Sequence, residues 1–150
     1  MTARLNKAVL FFQILSIIFG GLIYCAFRTK DLLLFYWART FGLDATVDLL
    51  REISYHIKPR IPNWLLFSVP DGLWVLSYTC LILYIWDFKL NRKNIFWFAL
   101  VPSLALGSEI LQSMRIIPGT FDFIDIAAYI IGLLVPLIIF NIDFKIKNEQ

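Results

Sequence analysis

Residues Ala8 to Phe27 read AVLFFQILSIIFGGLIYCAF, an apolar run whose strongly polar members are Gln13 and Ser16. At 1.5 Å per residue, a helix of that length covers about 30 Å, the hydrocarbon thickness of a bilayer. Three further runs of this kind follow, over about 71–88, 95–114 and 123–142. Hydrocarbon offers no water to unpaired backbone groups, so such runs are driven to form helices that satisfy their own N–H and C=O groups. Composition agrees, with hydrophobic residues at 59%, against about 45–50% in soluble domains. The expected fold is an all-α membrane protein, one domain over 1–150, with four transmembrane helices. One or two interfacial amphipathic helices are expected between the first and second.

The first run follows Arg4 and Lys7, as the apolar part of a signal peptide would. It is long for that role and has no small-x-small cleavage site before Arg28, so it reads as a retained helix. Residues 28–70 form a long connection. Leu32 to Leu43 is too short to cross and contains Arg39; it reads as an interfacial helix with Tyr36 and Trp37 at headgroup depth. In Asp44 to Ile57, Val47, Leu50, Ile53 and Ile57 recur near helical spacing, with Asp44 placed to cap and Pro59 to stop the helix. Ile61 to Val69, with Pro62 at its second position and Pro70 just after it, is expected as a separate short re-entrant or interfacial piece. The second span then starts at Asp71. Pro136 interrupts the fourth, which membrane helices tolerate when neighbours satisfy the freed carbonyl.

The net charge is +3 and is spread over termini and loops. It fits topology and lipid contact rather than nucleic acid, for which a basic cluster with interleaved aromatics is missing from the sequence. Cys25 and Cys80 sit in apolar runs without a spacing motif and read as small buried hydrophobes. His56 is the sole histidine and has no nucleophile nearby in sequence, so it carries no catalytic role. No cofactor or metal is expected.

Basic residues favour cytoplasmic loops. Arg4 and Lys7, then Lys89, Arg92 and Lys93, then Lys145 and Lys147 place both termini in the cytoplasm. That topology puts Asp71 in the first turn of the second span. Glu109 and Gln112 fall in the last two turns of the third, Arg115 at the following turn, and Asp122 and Asp125 at the start of the fourth. All converge on the outer leaflet. A charge at mid-helix costs roughly 2.5–3.5 kcal/mol on insertion scales, and an ionisable group inside a span marks a functional site by default. Glu109 and Gln112 share a helix face, as do Asp122 and Asp125, and as do Asp71, Trp74 and Tyr78.

At these residues the chain resembles the VanZ-like family of small bacterial membrane proteins. The family joins a glutamate-and-glutamine helix end to a turn with arginine, proline and glycine, then an aspartate helix start and a later glycine. Glu109, Gln112, Arg115, Pro118, Gly119, Asp125 and Gly132 match in order and with similar spacing. Asp71 and Tyr78 match an earlier aspartate followed by a tyrosine two turns on. The chain departs at Tyr129, where the family often has asparagine, and around Trp74, where it often has histidine. The match covers about 70–132. It implies a bacterial cell-envelope setting in the inner membrane.

The resulting candidate binding residues are Asp71, Tyr78, Glu109, Gln112, Arg115, Asp122 and Asp125. In one reading they bind an envelope lipid, a precursor or a partner subunit in a membrane complex, with Arg115 taking phosphate or carboxylate. In an enzyme, carboxylates 71, 109 and 125 would act as acid and base or hold a hard metal on lipid-linked substrates. In a third, ion coupling, the carboxylates would mark a transport path, which four helices without a visible repeat suit poorly. In a structural subunit, Arg115 would pair with Glu109, Asp122 or Asp125, and an aspartate would cap the fourth helix.

Overall fold

A computed structural model describes residues 2–30, 32–140 and 142–145. Lys147, part of the charge pattern above, lies outside the described residues. The chain is helical: α1 (Thr2–Phe27), α2 (Leu33–Thr40), α3 (Asp44–Tyr55), a single 3-10 turn (Lys58–Arg60), α4 (Asn63–Ile85), α5 (Ile95–Ser113) and α6 (Phe123–Ile139). A minimal parallel pair, β1 (Lys89–Asn91) with β2 (Asp143–Lys145), joins the α4–α5 link to the segment after α6 in the register Lys89 to Asp143. Three helices are long and apolar enough to cross a membrane: Arg4–Phe27 within α1, Asn63–Ile85 and Ile95–Ser113. α6 is apolar but shorter, at 17 residues.

The largest departure from expectation lies in α4. Ile61 to Val69 is not a separate piece, and the helix does not begin at Asp71; Pro62 takes the N-cap position and the helix runs through Pro70. An interior proline removes one N–H, here the usual donor to the Leu66 carbonyl, and ordinarily breaks a helix. In this position a neighbouring side chain bonds the adjacent carbonyl. Pro70 is fully buried, and Arg28 at the end of α1 donates to the next carbonyl, Phe67 O, at 3.0 Å. Asp71 therefore stands roughly 12 Å into the helix, not in its first turn. At the other end α4 stops at Ile85, short of residue 88.

α4 is the axis of the bundle, packed by α1 on one side and α6 on another. Its contact with α6 is a backbone crossing. A Cβ placed on Gly132 would come within 2.3 Å of the Gly72 carbonyl oxygen, and one on Gly72 within 2.8 Å of the Ala128 oxygen. Small residues permit such approaches between membrane helices, where packing and not the hydrophobic effect holds helices together. The α1–α4 contact is larger-toothed: Trp74 lies over Gly20 and stacks on Tyr24 at 5.1 Å. Gln13 Nε2 donates to Ser77 Oγ, which donates to the Gln13 carbonyl, so one polar interruption of α1 is spent on another in α4.

Toward the chain termini lies an apolar core of Val9, Cys80, Leu83, Phe88, Leu90, Phe98 and Phe140, with Thr79 and Asn94 buried beside it. At the opposite end, α3 docks on α1 through Arg51, which donates to the Cys25 and Arg28 carbonyls at 3.0 and 2.7 Å. Those are carbonyls at the α1 C-terminus that lack helical partners. Asp44 was expected to cap α3; it lies in the first turn instead, and Leu43 occupies the N-cap position without a side-chain bond.

Candidate functional site

The α5–α6 turn is built from its backbone outward. α5 ends with the Ile116 N–H bonded to Leu111 O and the Arg115 N–H bonded to Gln112 O, both 2.9 Å. This is the Schellman arrangement, whose C′ residue adopts the left-handed conformation usually given to glycine. Arg115 fills it with φ 58°. Gly119 follows at φ 136°, and a Cβ there would lie 2.6 Å from the Gln112 side chain. Only glycine fits, and Gln112 is the group it fits against. Asp122 then caps α6 by accepting from the Ile124 N–H at 2.8 Å.

Glu109 crosses this turn. It is 2% exposed, and its Oε2 accepts the Asp122 N–H at 3.2 Å. The first turn of a helix leaves N–H groups without internal partners, and a carboxylate is a strong acceptor for them. Glu109 therefore braces the end of α5 against the start of α6. Arg115 was a candidate partner for Glu109, Asp122 or Asp125; it is exposed, and among the described residues it forms no ion pair with any of them. Its backbone conformation turns the chain, and its guanidinium faces outward.

The guanidinium at the cluster belongs to Arg28. Its Nη2 sits 3.1 Å from Asp71 Oδ2, the same atom that donates to Phe67 O, and the group packs over the rings of Tyr24 and Phe67. Asp71 lies within electrostatic reach of Glu109 and Asp125 as well. Tyr129, 9% exposed, lies within reach of all three carboxylates and of Arg28. The cluster thus joins α1, α4, α5 and α6. It sets one guanidinium against three carboxyl groups and one phenol.

Of the seven residues expected to form the site, Asp71, Glu109 and Asp125 lie within electrostatic reach of one another. Asp122 attends through its backbone and as a cap. Gln112 packs under Gly119. Tyr78 lies roughly two helical turns from Asp71 and donates to the Trp97 carbonyl, tying α4 to α5 instead of entering the cluster. Arg28 and Tyr129 join it. The signal for Arg28 was its place at the end of α1, level with the other charges; the signal for Tyr129 was its spacing of four from Asp125.

The satisfied groups leave a remainder. Asp125 Oδ1 is buried without a hydrogen-bond partner among the described residues, as is Arg28 Nε. Such groups are costly unless something bonds to them. Among the described residues no group of His, Cys, Asp and Glu has metal-binding geometry. No family model, curated protein or solved structure matches this chain.

Proposed function

We propose that this is a VanZ-like, four-span protein of the bacterial inner membrane that binds an envelope ligand at the Arg28–Asp71–Asp125–Tyr129 cluster. α6, at 17 residues, reaches the lower limit of a membrane span and is read as the fourth. The termini are cytoplasmic, which brings the cluster to the outer leaflet and seats α2 and α3 at the outer interface. Their exposed Tyr36, Trp37, Phe41 and Tyr55 suit headgroup depth.

The observation that carries the reading is the unpartnered Asp125 Oδ1 beside a carboxyl-rich cluster. An acceptor of this kind suits a donor: the ammonium of a lipid headgroup or of a partner's side chain, or the hydroxyls of a lipid-linked sugar precursor. The family resemblance is supported by the fact that Glu109, Gln112, Gly119 and Gly132 each have a physical task at their matched positions. The test is binding of phosphatidylethanolamine and of lipid-linked amino-sugar precursor to the full chain in phosphatidylglycerol nanodiscs. Asp125→Asn is expected to lose at least about tenfold in affinity while remaining inserted. If neither ligand stabilises the wild type and Asp125→Asn misfolds, the proposal fails.

The structural-subunit reading has specific support in the Arg28–Asp71 pair and the Glu109 brace. Those contacts account for Asp71 and Glu109 but not for Asp125. The enzyme reading would need Asp125 as base and a proton donor opposite; turnover of lipid-linked substrate with and without chelator decides it.

A further inference from the structure

The crossing of α4 and α6 has two sides. Asp71 and Asp125 lie on the side toward α5, while on the other side the same close approach leaves a groove of about 220 Å³. Its floor is cut by Gly72, Ala127, Ala128 and Gly132, and its walls continue to Leu76 and Ile131. Trp64 and Ile124 stand at one mouth. From Trp64 to Leu76 the groove follows α4 for roughly 18 Å. It is an open, elongated groove lined almost wholly by apolar side chains.

The wall holds one polar exception. Ser68 is 1% exposed, and its Oγ has no hydrogen-bond partner among the described residues. A serine inside a membrane helix ordinarily bonds back to a carbonyl one turn earlier, as Thr79 does here to Val75 O at 2.8 Å. Ser68 does not. It lies one turn, about 6 Å, below Trp64, and tryptophan anchors at headgroup level. One turn below the headgroups is the depth of the ester carbonyls of a glycerolipid.

We propose that the α4–α6 groove seats one acyl chain of a diacyl glycerolipid, with the Ser68 hydroxyl donating to its ester carbonyl. A single acyl chain can lie along an apolar groove of this length. The ester carbonyl, an acceptor in a group that has no donor of its own, matches a hydroxyl without an acceptor among the described residues. The proposal rests on the four-span arrangement above and is independent of whether the carboxyl cluster binds anything, because the glycine crossing separates the two.

The test compares diacyl phosphatidylglycerol with its dialkyl ether analogue of the same chain length, which keeps headgroup and chains but lacks the carbonyls. Adducts with the delipidated full chain are quantified by native mass spectrometry. The wild type is expected to hold the ester lipid about fivefold more tightly, the worth of one net hydrogen bond. Ser68→Ala is expected to bind both lipids equally, and Ala127→Phe, which fills the groove, to weaken both by at least about tenfold. Equal binding by the wild type, or an ester preference kept in Ser68→Ala, overturns the proposal. Should Ser68→Ala not fold, undiminished binding by Ala127→Phe overturns it alone. Asp125→Asn keeps the ester preference if the groove is the lipid's seat, even where it abolishes headgroup recognition. An ester preference lost in Asp125→Asn and kept in Ser68→Ala would move the lipid to the cluster and also overturn the proposal.

Discussion

The two ends of this bundle solve the same packing problem by opposite means. Near the termini, Val9, Leu83, Phe88, Leu90 and Phe140 fill the space between helices with apolar side chains. At the other end, α4 and α6 approach until backbone meets backbone at Gly72 and Gly132, and the space beside that crossing is given to Asp71, Glu109, Asp125 and Arg28. The first solution would hold a fold together anywhere. The second uses costly groups, and most of them have structural partners: Arg28 for Asp71, the Asp122 N–H for Glu109, the Ile124 N–H for Asp122. Among the carboxyl groups of the cluster, one oxygen stands out as buried without a partner among the described residues. That oxygen is Asp125 Oδ1, although its carboxyl lies in the first turn of α6, where a helix N-terminus favours negative charge.

That contrast can be broken most forcefully at the crossing. Gly132→Val would place a branched side chain where the Gly72 carbonyl already stands at 2.3 Å from a Cβ. Overpacking of this kind costs about 3 kcal/mol or more where backbone must move. Denaturant titration in detergent should show it, and an unchanged midpoint would mean that the helices do not cross there.

Arg28→Ala comes next. It strands Asp71 and strips a donor from Phe67 O. Breaking a buried pair costs about 3–5 kcal/mol, and here both side chains keep 28% and 21% of their exposure, so the expected loss is nearer 2 kcal/mol. Adding Asp71→Asn should restore part of it. An additive double mutant would show that the two do not act as a pair.

Arg115→Gly should move the other way. The left-handed C′ position costs a non-glycine residue about 1–2 kcal/mol, so glycine should stabilise by about 1 kcal/mol and leave ligand binding intact. Loss of binding would return Arg115 to the site.

The smallest effect is at the rim. Hydrogen bonding from Lys30 holds the exposed Asp48 carboxyl below its ordinary value of 3.8. A depressed value means that the contact's contribution is present above that pH and is lost as pH falls through the lowered value. An NMR titration of Asp48 should therefore shift back toward 3.8 in Lys30→Ala, and an unmoved titration would show that the pair is not formed in solution.

Much of this architecture was legible in the chain. The apolar runs located α1, α5 and most of α4, because span length is set by the bilayer and is counted directly in residues. Misplacing the start of α4 has a local cause: Pro62 and Pro70 look alike in sequence, yet one occupies a cap and the other a buried interior position with Arg28 supplying a donor nearby. Arg28 reaches the Phe67 carbonyl from 39 residues away in the chain and leaves no local trace. The ordered set from Glu109 to Gly132 located the turn, but it assigned Arg115 to the carboxylates by proximity in sequence. A guanidinium one residue past a helix end can serve by its backbone alone, and the partner that the cluster required lay on α1. The small residues told of a close approach; only the fold says that Gly72 is Gly132's counterpart.

The central claim is that Asp125 is kept at a cost to the fold. It is tested by measuring the unfolding free energy of Asp125→Asn beside that of Asp71→Asn, both without ligand. The account predicts Asp125→Asn to be as stable as the wild type or more so, because a neutral side chain costs less to bury than an ionisable one, with Asp71→Asn destabilised by the loss of its Arg28 partner. Equal destabilisation of both variants would contradict it and make the whole cluster part of the scaffold.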